Sequence, residues 1–329
     1  SFNKKDIDSE IKLLENLFEI KGTSFVNELE GQFVISIYDI QNKTLYLFRD
    51  RFGIRPLFYK KNNEFFVYAS EVKSISSFSK EILNTELKSI ASTALFWSNI
   101  DSTTSFENIY QLQPGHYLVY KNGDVKTKKY WQNPILFNDD YNNKPNFYQM
   151  LEDALKRQIH GEVGFSSYLS GGIDSSALAY ILTKIQNSPI DTFSIQFENK
   201  EYDESEAQKK IQKIINSNHY ALKISDQDIS ENFEKAINHS EAHLFRTAPV
   251  PMYLLSKKVK EVGHKVVFTG EGADEVLLGY DIFGELKIRK FWSKFPDSKI
   301  RPQLLQKLYY HLPQFNNKRY FQLTKEFYL

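Results

Sequence analysis

Ser170-Gly171-Gly172-Ile173-Asp174-Ser175-Ser176 joins a short apolar run ending at Leu169 to an amphipathic stretch that continues to Lys184. Two adjacent glycines let a backbone turn tightly and approach a ligand, while hydroxyls beside the free amides of a first helical turn donate to an anion. The chemistry these residues could do is phosphate binding at a helix start. A plain glycine-rich strand-to-helix turn is the other reading of the same letters. The pattern G-x-x-x-x-G-K-[ST] is absent, so no lysine is placed to reach a terminal phosphate as in a Walker A loop. Farther along, Val266 to Tyr280 reads VVFTGEGADEVLLGY, a second strand followed by glycines, with Glu271, Asp274 and Glu275 crowded together. Carboxylates beside bound phosphates repel them unless a cation intervenes, and Mg²⁺ commonly bridges carboxylate and phosphate oxygens. Taken without its neighbour, the same stretch is an acidic solvated turn.

A loop of the first kind needs a strand before it and a helix after it, and the surrounding pattern supplies both. From Tyr148 onward a helix to Gln158 leads to strand VGFSSYL and helix SSALAYILTKI, then strand DTFSIQF, helix ESEAQKKIQKII and strand HYALKI. Two helices running through Ser256 and strand HKVVFTG complete the series. Strands alternating with helices of this length predict a doubly wound parallel α/β sheet, whose ligands sit at the carboxyl ends of strands. Residues 1–131 follow a different period. An opening helix, Asp8 to Glu19, places Ile11, Leu14, Leu17 and Phe18 at helical spacing. Phe33, Ile35 and Ile37 then alternate, with Leu45 and Leu47 returning after a turn at QNK, and further hairpins are predicted at Asn62-Asn63 and Asn122-Gly123. The fold class expected is therefore α/β, with an antiparallel β-rich domain over 1–131, a linker over 132–147, and a doubly wound parallel domain over 148–329. The linker is rich in Asn, Asp and Pro and has no period.

Composition narrows the functions. Over 329 residues, Lys and Arg total 42 against 41 Asp and Glu, a net charge of +1, so nothing in the balance favours nucleic acid. There is no cysteine, which excludes disulfides, thiolate zinc sites and a cysteine nucleophile within these residues. No apolar run reaches the ~20 residues that span a bilayer and the first residues lack a signal-peptide core, which leaves a soluble cytoplasmic protein as the default. His239 and His243 carry the one helical histidine spacing; without a third ligand, a surface or core role is favoured over metal binding.

Together S-G-G-x-D-S and G-E-G-A-D-E resemble the synthetase domain of the asparagine synthetase family, and the first loop resembles those of enzymes that adenylate a substrate and release pyrophosphate. DTFSIQF, YDESEAQ and PVPMYLLSKKVKE follow in the family order, dense from Tyr148 to about Tyr280 and thinner toward Leu329. The resemblance implies that Ser170, Gly171, Gly172, Asp174 and Ser175 hold the pyrophosphate end of ATP and its Mg²⁺, and that Ile195 lies against adenine. A β-branched residue in a buried strand is otherwise core. Gly270 and Glu271 are implied to face the reacting carboxyl group, with Glu271 and Asp174 as catalytic residues, and Asp174, Asp274 and Glu275 as metal ligands.

RDRFGIRPLFY, Arg49 to Tyr59, reads bottom-up as a turn at Gly53 with guanidiniums available for carboxylates, or as a structural salt-bridged turn. With ELEGQFVISIYD, YASEVKSI and QLQPGHYLVY it resembles the class II glutamine amidotransferase domain. Those domains use an amino-terminal cysteine, missing here; Asp8, in IDSE, matches the aspartate that holds glutamine's amino group. Missing sequence is expected at both ends. The activity implied is ATP-dependent asparagine formation from aspartate, with glutamine or free ammonia as nitrogen donor, by a protein whose partners are small molecules and which a homodimer would suit. Alternatives are a relative such as a β-lactam synthetase or lasso-peptide cyclase, and a non-catalytic nucleotide-binding module. SEAHLFRTAPVPMY departs from the family's pattern, which puts substrate contacts at Glu241 and Arg246 in doubt.

Overall fold

The computed structural model describes residues 7–133, 146–159, 163–200 and 203–310. Most of the linker expected over 132–147 lies outside them. Two compact units emerge, residues 1–160 with 224–258, and residues 161–223 with 259–329.

In the first unit, helix α1 (Ile7–Lys21) and a 3-10 helix (Gly22–Glu28) precede strands β1 (Val34–Asp39), β2 (Thr44–Arg49), β3 (Phe58–Lys61) and β4 (Phe66–Ala69). Helices α2 (Val72–Ser79) and α3 (Leu87–Phe96) follow, then β5 (Tyr110–Gln111), β6 (His116–Lys121), β7 (Asp124–Lys129) and helix α4 (Phe147–Gln158). The strands form two antiparallel sheets, β1-β2-β6-β7 and β4-β3-β5. The three predicted hairpins are present; at Asn122-Gly123 both residues have positive φ, 52° and 82°, as a two-residue hairpin turn of this twist demands.

Period-two alternation builds the layers. Leu47 and Leu118 point to a cluster with Leu57, Tyr59 and Leu112 between the sheets, whereas their neighbours Phe48 and Tyr117 point to the opposite face. There they meet Phe25 and Val26 together with Leu14, Leu17 and Phe18 of α1, and Phe33, Ile35 and Ile37 share that face as the spacing predicts. Ile11, expected on the same stripe, is exposed. Val72 and Ile75 of α2 close the far side with Ile109, against Phe58 and Val67. Helix, sheet, sheet and helix are thus stacked around two apolar layers and a third.

The second unit carries β8 (Phe165–Tyr168), α5 (Ile173–Gln186), β9 (Asp191–Phe197), α6 (Ser205–Ile215) and β10 (Asn218–Ile224). The chain then passes through the first unit, with helix α7 (Asp226–Ser240) and most of α8 (Pro249–Val262), and returns to the second for β11 (Val266–Phe268), α9 (Ala273–Leu277), α10 (Asp281–Trp292) and α11 (Gln303–Leu308). The sheet order is β10-β9-β8-β11, with β8 parallel to both β9 and β11. In chain order that is third, second, first, fourth, so the direction of winding reverses between β8 and β11. The crevice beyond the carboxyl ends of those two strands is the topological switch point, where open α/β sheets bind ligands. No helix among the described residues is long and apolar enough to cross a membrane.

Candidate phosphate site at the sheet switch point

Both sequence motifs lie at this crevice. The chain leaves β8 through Leu169 and Ser170, turns at Gly171 with φ +89°, and enters α5 with Gly172 as its cap. Local hydrogen bonds hold the turn. The Ser170 amide donates to Ser175 Oγ at 3.1 Å, the two hydroxyls are 2.9 Å apart, and the Gly172 amide donates to Ser170 Oγ at 3.2 Å. Ser175 is buried, so its hydroxyl braces the loop from below. Ser176 Oγ is buried and has no hydrogen-bond partner among the described residues. Asp174 sits in the first turn of α5, beside the positive end of the helix.

Gly171 has no room for a side chain, and Gly270 has little. A Cβ on Gly171 would lie 2.8 Å from Ala207 Cβ and 3.1 Å from the Gln208 amide nitrogen, so α6 packs directly on the turn. A Cβ on Gly270 would lie 3.1 Å from the Ser175 nitrogen and 3.2 Å from Asp174 Cβ. That second approach brings the loop after β11 against the loop after β8, as their parallel register, Phe268 opposite Ser167, requires.

The acidic loop is arranged less simply than its letters imply. Gly272, with φ +88°, opens the short α9, and Glu271 is exposed. Asp274 turns toward Gly279, where a Cβ would meet its Oδ1 at 2.0 Å, and Glu275 accepts from the Tyr280 hydroxyl at 3.3 Å. Glu275, together with Asp274 and Glu271, pushes the Tyr280 hydroxyl above its ordinary pKa, a measure of the negative field there. Among the described residues no three acidic or histidine side chains stand together as a metal cluster, so Asp174, Asp274 and Glu275 are not a preassembled set. Magnesium held chiefly by phosphate and water, with one or two carboxylates, needs no such cage.

Ile195 stands near the carboxyl end of β9, partly buried, and its carbonyl accepts from Gln208 Nε2 at 2.9 Å. Gln208, 2% exposed, carried no signal in the sequence beyond its place on an amphipathic helix. His219, also unflagged, lies between Thr192 Oγ1 at 2.9 Å and Ser194 Oγ at 3.0 Å, and burial pulls its pKa down, which keeps the ring neutral. Asp8 falls in α1, with its side chain outside the described residues.

The remaining candidates serve structure. Arg49, 4% exposed, donates to the carbonyls of Arg55, Leu112 and Gly53, and Asp50, 1% exposed, accepts from the amides of Phe52, Ile54 and Arg55. The turn is thus held by side chain to backbone bonds rather than by the salt bridge the letters imply. Glu241 adopts the left-handed conformation that ends α7, so His243 does not share a helix face with His239. The Glu241 carboxylate accepts from the amides of Val72 and Lys73 at 2.6 and 2.7 Å, and Arg246 stacks on Trp97.

A glycine turn and an acidic loop abut at the switch point of the parallel sheet, and the antiparallel sheets belong to a separate unit. The family model for asparagine synthase matches residues 146–329, and that for a glutamine amidotransferase domain matches residues 3–131. The chain belongs to the asparagine synthase family, with the amidotransferase region ahead of the synthetase region. It is 30% identical over 296 residues to amidase chyE of Penicillium rubens, covering 84% of this chain and 44% of that protein. To asparagine synthetase [glutamine-hydrolyzing] 1 of Bacillus subtilis it is 27% identical, over 91% of this chain and 47% of that protein. The chain therefore spans less than half the length of these relatives. Among solved structures, NMN synthetase from Francisella tularensis is similar over 39% of this chain and 52% of that one, with 21% identity and a TM-score of 0.28.

Proposed function

We propose that this protein is an ATP-dependent amide-forming ligase, with its nucleotide chemistry in residues 148–329 and an amidotransferase-like region in residues 1–131. A substrate carboxylate attacks the α-phosphorus of ATP, the bond to the β-phosphate oxygen breaks, and pyrophosphate leaves. Ammonia then displaces AMP at the acyl carbon, loses a proton, and yields the amide. The observation that carries this reading is the abutment of the two loops, with Gly270 against Asp174 and Ser175.

The amides of the first turn of α5 and Ser170 are donors for charge building on the leaving pyrophosphate, and preorganised donors stabilise such charge without reorganising. Mg²⁺, when bound with the phosphates, supplies charge neutralisation; Asp174, Asp274 and Glu275 are the carboxylates on hand for it. Glu271, exposed at the mouth of the loop, is the group we assign to the reacting carboxyl end. Aspartate is the leading substrate, with glutamine or ammonia as nitrogen donor; Asp8 is the residue assigned to glutamine. A soluble cytoplasmic enzyme that acts on small molecules as a homodimer completes the reading. Relatives named amidases favour a second reading, the same ligase chemistry on another carboxylate.

Pyrophosphate release from Mg-ATP is the test, measured with aspartate and ammonium, then with glutamine. Aspartate-dependent release that Asp174→Asn abolishes supports the assignment. Retention of near-normal rates in that variant removes the loop from the chemistry, and release that responds to other carboxylates but not aspartate selects the second reading.

A further inference from the structure

Helix α6 starts against the phosphate loop. A Cβ on Gly171 would meet Ala207 Cβ at 2.8 Å, the Gln208 nitrogen at 3.1 Å and the Ala207 carbonyl carbon at 3.3 Å. The first turn of α6 is therefore the wall on which the Gly171 turn rests. The helix finds its apolar anchorage farther along, where Ile211 and Ile215 meet Leu169 and Ala179. Its buried residues are Ile215 and, in the first turn, Gln208. A polar side chain thus occupies a place where an amphipathic helix ordinarily buries an apolar one.

Both ends of the Gln208 amide are bonded to β9. Nε2 donates to the Ile195 carbonyl at 2.9 Å, and Oε1 accepts from Ser194 Oγ at 3.0 Å. A carbonyl can only accept, so the amide has one orientation and the Ser194 hydroxyl spends its proton on it. Ser194 is held from behind in turn: its oxygen accepts from the Nε2–H of His219 at 3.0 Å, whose bare Nδ1 accepts from Thr192, itself 2.8 Å from Ser217 Oγ. Gln208, Ser194, Thr192 and Ser217 are all buried, so water does not compete for these bonds.

We propose that Gln208 is a positioning residue for phosphate binding: its two bonds to β9 lock the first turn of α6, and that turn sets the Gly171 backbone against which the phosphates are held. This rests on the nucleotide reading above and deepens it by naming what fixes the loop. A leucine at 208 would fill the same volume and leave the turn free to slide on apolar contacts, whereas hydrogen bonds weaken with small changes of distance and angle. Any such slide passes directly to Gly171, because no side chain stands between it and α6.

The experiment measures binding of Mg-tripolyphosphate and Mg-ATP, beside melting curves, for the unaltered protein, Gln208→Leu and Ser217→Ala. Tripolyphosphate carries phosphates without a base, so it reads the loop alone. Gln208→Leu is expected to weaken both ligands about tenfold and in parallel, the worth of one hydrogen bond lost from the loop. Ser217→Ala breaks the far end of the relay and spares both bonds of Gln208, so its melting temperature is expected to fall while affinity holds. Should Gln208→Leu not fold, as judged by circular dichroism, Ser194→Ala removes one of the two bonds and is expected to weaken tripolyphosphate part way. Unchanged tripolyphosphate binding in the folded variant, or a loss that Ser217→Ala matches, makes Gln208 a structural residue only; either result overturns the proposal and leaves the nucleotide reading standing. If the unaltered protein binds neither ligand, both fall.

Discussion

Gly171 shows what one residue's conformation does for the site. Its φ of +89° and the 2.8 Å approach of Ala207 Cβ make any side chain there both strained and obstructed. Gly171→Ala is expected to cost ~1–3 kcal/mol of stability and to weaken ATP binding together, because the turn and the α6 contact move as one. A melting curve and a binding isotherm on the same variant check this; an unchanged melting temperature would contradict it. Tyr130 makes a prediction about pH. Burial and the nearby Asp50 push its hydroxyl up to about 12 from an ordinary 10, while that hydroxyl donates to the Arg49 carbonyl at 2.7 Å. Above about pH 10 the unfolded chain gives up this proton while the folded protein keeps it to about pH 12, so its stabilisation is complete below 10 and lost through that window. Tyr130→Phe is expected to lose ~1 kcal/mol at neutral pH for the hydrogen bond, and to decline less steeply between the two values, as denaturant midpoints at several pH values would record. At this scale the glycine turns at Gly171 and Gly272 were legible because glycine announces a turn. Gln208 and His219 were not, since their roles depend on reaching residues brought near only by strand pairing. Arg49 reads either as a guanidinium available to a carboxylate or as part of a salt-bridged turn because the letters do not say that carbonyls of its own loop already engage it, as amides engage Asp50.

Elements with a clean period were read within a few residues. β9 spans Asp191–Phe197 as the alternation predicts, and α5 begins at Ile173, slightly ahead of the expected start. Helices α2 and α3 were missed. VKSISSFS is rich in Ser and β-branched residues, which favour helix weakly, and its eight residues are too few to form a stable helix alone. Packing of Val72 and Ile75 forms α2, and so does Glu241, distant in sequence, whose carboxylate caps its first two amides with the Lys73 ammonium 3.7 Å away. A carboxylate on the amides of a helix start is favoured by both hydrogen bonding and the helix dipole. Glu241→Gln keeps the size but loses the charge, and is expected to lower stability by ~1–2 kcal/mol. Hydrogen exchange would locate the loss. Faster exchange at Val72 and Lys73, with β2 and β6 protected as before, is the expected pattern, whereas uniform loosening would deny Glu241 a local capping role.

For the whole molecule, strand order matters more than any single element. With β8 between β9 and β11, chains leaving the sheet on either side of the switch point run in opposite senses, and a crevice opens where they part. Nothing in the letters fixes that order: alternation predicts a parallel sheet, but which strands adjoin follows from packing that only the folded chain reveals. It is this order that brings the loop after β11 to the loop after β8, although the two are far apart in sequence. Gly270 is their point of contact, and its φ is ordinary, so a methyl group there tests the approach alone without straining the backbone. The methyl at Gly270→Ala would stand 3.1 Å from the Ser175 nitrogen and 3.2 Å from Asp174 Cβ, so the loops must part by a few tenths of an ångström. The fold itself can absorb that shift, and the melting temperature is expected to change little. Misplacement on this scale at reacting groups is expected to cut the rate about tenfold or more while ATP still binds to the α5 turn. Binding and pyrophosphate release measured on this variant therefore separate two ideas. Intact affinity with a fallen rate means that the crevice works by holding two loops in register, and equal losses in both mean that the phosphates themselves lie against Gly270.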